Sequence, residues 1–267
     1  MAAPIQSQPA YLLHSRPYRD TSMLLDFITS DFGRVSAVAR GVRSPKSKTR
    51  ASLQPFIPLL INLSGKSELK TLVQVESRNN GFSLKHKALF AAMYVNELLV
   101  RLLHKQEADT EIYSLYETTL GNLLRHSEIE PVLRVFELTL LELLGYGIDF
   151  SVIEDISENA LRNDNTGDAR FSKVSEKPHE NTDNSNPDNN EKIWFHYHQE
   201  NGFERVETEN NSSGKYYPAF VLMRIADKNI IDPETQRFAK RLLRSALASH
   251  LGDKALSSRS LFRKNIA

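Results

Sequence analysis

The 267-residue sequence contains no cysteine. Disulfides and thiolate metal sites are thereby excluded, and a cytosolic location is the expectation. No apolar run approaches the roughly 18 residues of a membrane-spanning helix. Met1 to Gln8 lacks the charged and apolar regions of a signal peptide. A phosphate-binding loop is also missing: Gly65-Lys66-Ser67 resembles the end of one, but Leu60 stands where the earlier glycine belongs, and the triplet lies between two expected strands. Gly145-Tyr146-Gly147 follows a helix rather than a strand, so it is a helix stop and no dinucleotide fingerprint. His196 and His198 share one face of an expected strand, yet no third ligand is placed beside them. No nucleophile–base pair stands out. Neither a catalytic residue, a metal nor a cofactor is therefore expected.

What is present is a divided charge. The net charge is only +1, but residues 1–80 hold 11 Lys/Arg against 5 Asp/Glu, and residues 216–267 hold 10 against 4. Residues 81–150 hold 6 against 10, and residues 151–215 hold 7 against 14. Two basic ends around an acidic middle suit a polyanionic partner.

The first 80 residues read as five short strands: Tyr11 to His14, Met23 to Thr29, Gly33 to Ala39, Phe56 to Leu63 and Leu69 to Val75. The last alternates, with Leu69, Thr71, Val73 and Val75 on one side. Five strands in so short a stretch suggest a small barrel, of which the OB-fold is the commonest kind. From Leu84 the apolar period becomes helical through Leu103. Further helices are expected over Glu111 to Arg125 and from Pro131 to Leu144. Residues 163–190 hold seven Asn and few apolar side chains, and are expected to be disordered. Ile193 to His198 and Phe203 to Val206 read as a hairpin, followed by a helix over Tyr217 to Ala226. The last helix has Asp232 as N-cap, Pro233 in first position and Gly252 as its stop. Phe238, Ala239, Leu242, Leu243 and Ala246 form its apolar face, and Arg237, Lys240, Arg241 and Arg244 the opposite one.

The segment 40–50 is the most informative local feature. Arg40, Arg43, Lys46, Lys48 and Arg50 occur there without an acid, among Gly, Ser, Pro and Thr. Such a loop beside a barrel can follow a phosphate backbone. It can equally be a solvated loop that keeps a sheet edge soluble. The basic face of the last helix carries the same two readings.

Several ordered motifs resemble the RecO family of recombination mediators. They are Tyr11 to Tyr18 with Thr21-Ser22, Gly33-Arg34-Val35, Val38 to Arg43, Leu53 to Phe56, and Gly65 with Glu68 to Leu72. They continue with Tyr94 to Leu99, Phe136 to Leu138, Leu144 to Gly147, and His250 to Arg259. The likeness covers nearly all of the chain except residues 155–215. It implies an α+β protein: a five-stranded OB-fold over residues 1–80, then a mainly α-helical domain over residues 81–267 with a small β-hairpin. It implies a non-enzyme that binds single- and double-stranded DNA, anneals complementary strands, and works with RecR and single-stranded DNA-binding protein to load RecA. A cytoplasmic, nucleoid-associated protein follows, with no membrane partner. Many members carry a four-cysteine zinc site, so this chain resembles the zinc-free branch. The expected DNA contacts are Arg34, Arg40, Arg43, Lys46, Lys48, Arg50, Lys66 and Lys70, with Arg237, Arg241 and Arg244 as a second set. Arg134, on the polar side of the third helix, is matched to an arginine that grips the tail of single-stranded DNA-binding protein; Glu130 and Glu137 make a local ion pair the alternative. A generic RNA-binding OB-fold chaperone is the alternative function, and a metal-dependent nuclease, which needs clustered carboxylates, is a third.

Overall fold

The computed structural model describes residues 5–47, 49–153, 193–206, 216–252, 254–258 and 261. The expected disordered stretch 163–190 lies outside them. The chain divides into two compact units, residues 1–146 with 250–267, and residues 147–249.

The first unit begins with a closed barrel in the order β1-β2-β3-β5-β4. Its strands are β1 (Ile5–Tyr18), β2 (Ser22–Thr29), β3 (Gly33–Ala39), β4 (Leu59–Ser64) and β5 (Lys70–Ser77). A four-residue helix α1 (Thr49–Ser52) stands between β3 and β4. β2 and β3 match their expected bounds to within a residue. β1 is far longer than expected, because one strand must serve two neighbours for the barrel to close. Its first half pairs with β4, from Ile5↔Leu63 to Ala10↔Leu59, and its second half with β2, from Ala10↔Thr29 to Tyr18↔Ser22. Pro9 and Pro17 lie within this pairing, opposite Leu60 and Met23.

Leu12, Leu25, Phe27, Val35, Ala37, Leu59, Ile61 and Leu63 fill the barrel. The alternation expected for β5 fails for a defined reason. Leu63 pairs with Leu72 but Asn62 with Gln74, so Val73 is an extra residue bulged out of the ladder. The faces exchange across it: Leu72 and Val75 pack on the core, while Val73 is 65% exposed.

Three helices follow, α2 (His86–Leu102), α3 (Thr110–Arg125) and α4 (Ile129–Leu143). Asp109 caps α3, its carboxylate accepting from the backbone N–H of Glu111 and Ile112. The sequence placed a boundary at residue 80, yet barrel and helices share one compact unit. The junction is polar and buried. Asn96 on α2 donates to the Leu13 carbonyl at 3.0 Å and accepts from the Tyr116 hydroxyl at 2.8 Å. Tyr11 enters from β1, stacks edge-on with Tyr116, and donates to Glu117 at 2.7 Å. Burial, reinforced by Glu117, pushes the Tyr11 phenol well above its ordinary pKa. This hydroxyl therefore stays protonated and a donor.

The second unit holds a three-stranded sheet, β7-β6-β8, from β6 (Trp194–His198), β7 (Gly202–Val206) and β8 (Tyr216–Pro218). The expected hairpin is β6–β7; β8 was read as the start of a helix. Helices α5 (Ala219–Ala226) and α6 (Pro233–Leu251) complete the described elements. The Asp232 carboxylate accepts from Thr235 N–H at 2.8 Å, as an N-cap does. The expected apolar face of α6 is buried throughout: Phe238, Ala239, Leu242, Leu243 and Ala246.

Candidate nucleic-acid interface

Strand register decides which cations can share a surface. Tyr18↔Ser22 closes the β1–β2 hairpin, and Met23↔Ala39 puts the end of β3 beside its turn. The segment after Ala39 therefore leaves the barrel at the β1–β2 end. Arg40, Arg43, Lys46 and Arg50 are all exposed there or on α1. Val42 is 2% exposed and anchors the loop to the barrel core. The backbone folds through tight turns, with Ser44 N–H donating to Gly41 C=O and Ser47 N–H to Ser44 C=O. Lys48 lies outside the described residues. The loop is also tied to the hairpin: Arg43 N–H donates to the Thr21 carbonyl at 2.8 Å, and the Arg43 guanidinium to the Arg19 carbonyl at 3.2 Å.

Two other expected contacts point inward. The Arg34 guanidinium is 14% exposed and pairs with Asp26 at 3.2 Å. It also donates to the carbonyls of Val100 and Leu103, at the end of α2. Its donors hold the barrel to the helices, and phosphate has no access to them. Lys70 is 9% exposed, and its ammonium donates to the Gly65 carbonyl. It fastens the β4–β5 turn. Lys66, on that turn, is exposed but elsewhere. Glu68 of the same turn pairs with Lys105 at 2.8 Å, and Lys105 lies alongside Arg34 in β3. That places Lys66 toward the start of β3, away from the loop.

On α6, Arg237 and Arg244 are exposed. Arg241 is not part of that face. Its guanidinium lies 4.6 Å from the Tyr217 ring centre and 4.7 Å from that of Phe238, and donates to the Tyr216 carbonyl. Helical spacing puts Arg241 with the other cations, but its long stem folds back over the aromatic core.

Arg134 is 6% exposed. One terminal nitrogen meets the fully buried Glu137 carboxylate at 2.7 Å, while the other lies 3.7 Å from Glu130. Glu137 also accepts from the Tyr94 hydroxyl at 2.6 Å. The Arg134 Nε–H finds no acceptor among the described residues. The local ion pair weighed from the sequence is thus present, and the sequence missed its depth: a polar-side residue of α4 is covered once α2 and α3 pack around it.

The catalytic look-alikes gain nothing. Ser67 donates to the Leu69 carbonyl within its own turn. The rings of His196 and His198 share a hydrogen bond at 2.6 Å, and Glu204 stands 3.4 Å from His198. Among the described residues no group of three His, Cys, Asp or Glu side chains is arranged to hold a metal ion, and no helix is long and apolar enough to cross a membrane.

What sequence reasoning missed at the barrel end is the hairpin turn itself. Arg19, exposed on the turn, is tied to the loop through Arg43, and Arg16, also exposed, stands on β1 two residues before its end at Tyr18. The signal was available in Arg16-Pro17-Tyr18-Arg19, but it reads as a turn after a short strand rather than as the tip of a long one.

The N-terminal family model of recombination protein O matches residues 1–80, and the C-terminal one residues 85–156. A DNA repair protein RecO of Actinobacillus succinogenes is 33% identical over 259 residues, 97% of this chain and 96% of the relative. One of Haemophilus influenzae is 35% identical over 261 residues, with the same coverage. One of Cellvibrio japonicus is 51% identical over 146 residues, which are 55% of this chain and 62% of the relative.

Proposed function

We propose, for a chain that belongs to the recombination protein O family of DNA repair proteins, that it holds DNA at the β1–β2 end of the barrel and acts as a recombination mediator. The observation that carries this reading is the acid-free run 40–50, with Arg40, Arg43, Lys46 and Arg50 all exposed at one barrel end. Cations on a turn bind the phosphodiester backbone whatever its sequence, and gain affinity by releasing counterions. Single and double strands both satisfy such a surface. Arg237 and Arg244 on α6 supply a second, weaker contact. In this reading the protein works by binding alone: it anneals complementary strands without nucleotide hydrolysis and, with RecR, helps RecA load onto DNA coated with single-stranded DNA-binding protein. Its place is then the cytoplasm, at the nucleoid.

The acidic tail of single-stranded DNA-binding protein is assigned to α4. Arg134 is held by Glu137 through one nitrogen at 2.7 Å, and among the described residues its other terminal nitrogen lies 3.7 Å from the looser Glu130. A tail carboxylate that displaces Glu130 would gain the donors on that side of the guanidinium.

The test is annealing of complementary strands coated with single-stranded DNA-binding protein, without ATP. The intact protein should anneal them, and the combined Arg40→Ala, Lys46→Ala, Arg50→Ala variant should lose most of that activity. Undiminished annealing by a folded triple variant sinks the assignment to the barrel end. Preference for RNA in competition would favour a chaperone acting on RNA.

A further inference from the structure

Arg16 and Arg19 are exposed, and neither makes an ion pair among the described residues. Arg19 adopts φ +52°, in the left-handed region. Its guanidinium lies 5.2 Å from the centre of the Tyr18 ring, a cation–π contact that steadies the head over a half-buried platform. The one acid on the turn is Asp20. The Arg19 carbonyl receives the Arg43 side chain, and the Thr21 carbonyl the Arg43 N–H. Two cationic turns, β1–β2 and β3–α1, are therefore fastened to each other at one point.

We infer that Arg16 and Arg19 form the second half of the DNA contact, and that Arg43 is a positioning residue that latches the halves together. This rests on the barrel-end reading above. Each half alone offers a few exposed cations: Arg16 at the end of β1 with Arg19 on its turn, and Arg40, Lys46 and Arg50 after β3. Latched, they form a two-sided cradle in which successive phosphates of one strand meet cations already held apart at fixed spacing. The Arg43 nitrogen that serves the Arg19 carbonyl is not presented to phosphate. Its contribution is to set the spacing.

The experiment measures binding of the full chain to an oligothymidine strand across a salt series, with the thermal unfolding midpoint of each variant as a check on folding. Each lost phosphate contact lowers the slope of log affinity on log salt by about 0.7 for single strands. The Arg16→Ala, Arg19→Ala double variant should therefore lose about 1.4 of slope. Arg43→Ala should weaken binding in the parent but add little in the double variant, because there is then nothing to latch. Asp20→Asn should tighten binding, a gain that misfolding cannot mimic. An unchanged slope in a folded Arg16/Arg19 variant overturns the cradle, while a lowered slope in the Arg40/Lys46/Arg50 variant keeps the barrel-end reading. Unchanged slopes in both overturn that reading itself. A full, additive loss from Arg43→Ala makes Arg43 a direct contact and overturns the latch.

Discussion

Arg134 and Glu97 show how much one side chain can hold. Arg134 and Glu137 form an ion pair with almost no solvent around it. Removing one partner leaves the other charge buried, which typically costs about 3–5 kcal/mol. Arg134→Ala should thus destabilise the protein by about that amount, read by chemical denaturation. Arg134→Met with Glu137→Leu should recover most of it, because the uncompensated charge is gone. A single variant as stable as the parent would show that the pair is solvated. Any loss of tail binding in Arg134→Ala has to be read beside this stability change. Glu97 on α2 works differently. Its two oxygens accept the N–H groups of Ser257 and Ser258, each at 2.8 Å. Burial opposes its charge, but the hydrogen bonds from Ser258 and Ser257, with Arg101 nearby, win and hold the carboxyl below the usual glutamate range. A depressed carboxylate stabilises the fold above its unfolded pKa, and that support is lost as pH falls through the folded value. Amide exchange at Ser257 and Ser258 should therefore stay slow at neutral pH and accelerate selectively under mild acid. In Glu97→Ala it should be fast at every pH, with a stability loss of about 1–3 kcal/mol. Exchange that ignores both changes would leave the C-terminal segment held by Leu256 packing alone.

At the scale of the element, turn chemistry and capping were legible, while pairing partners were not. Asp232, Pro233 and Gly252 mark the ends of α6 because each acts through its own backbone neighbours. Asp232→Ala should lower stability by about 1 kcal/mol, the usual worth of an N-cap, measured by thermal unfolding. The true length of β1 and the bulge at Val73 could not be read this way, since both are imposed by strands far away in the sequence. The inward heads of Arg34, Lys70 and Arg241 were hidden for a related reason: a basic residue is written the same whether its head meets water or a carbonyl. Gly33 lies between these cases. Its φ of +59° belongs to the tight β2–β3 turn, and a Cβ there would sit 1.7 Å from the Glu107 carbonyl oxygen. The strain alone is of order 1–3 kcal/mol, and the clash adds to it. Gly33→Ala should therefore destabilise the protein by more than about 2 kcal/mol. A neutral effect would mean that the segment after α2 can lift away from β3.

For the whole molecule, the fold class followed from five short strands in the first 80 residues and a helical period from residue 84. The boundary read at residue 80 is where the N-terminal family model ends, but the packing runs across it. The closed barrel suggests a self-sufficient module, yet Tyr11, at 1% exposure, and Leu13, at 6%, are buried, and the Leu13 carbonyl is bonded to Asn96. The long strand thus has two clients: it closes the barrel and it roots the helices. A gene fragment ending at residue 80 would present Tyr11 and Leu13 to water and strip a partner from a strand carbonyl. Expressed alone, that fragment should be insoluble or loosely folded, although every barrel strand is in it. Interchangeable parts are normally cut at loops; here the seam runs along a strand, so barrel and helices can be exchanged with a relative only together.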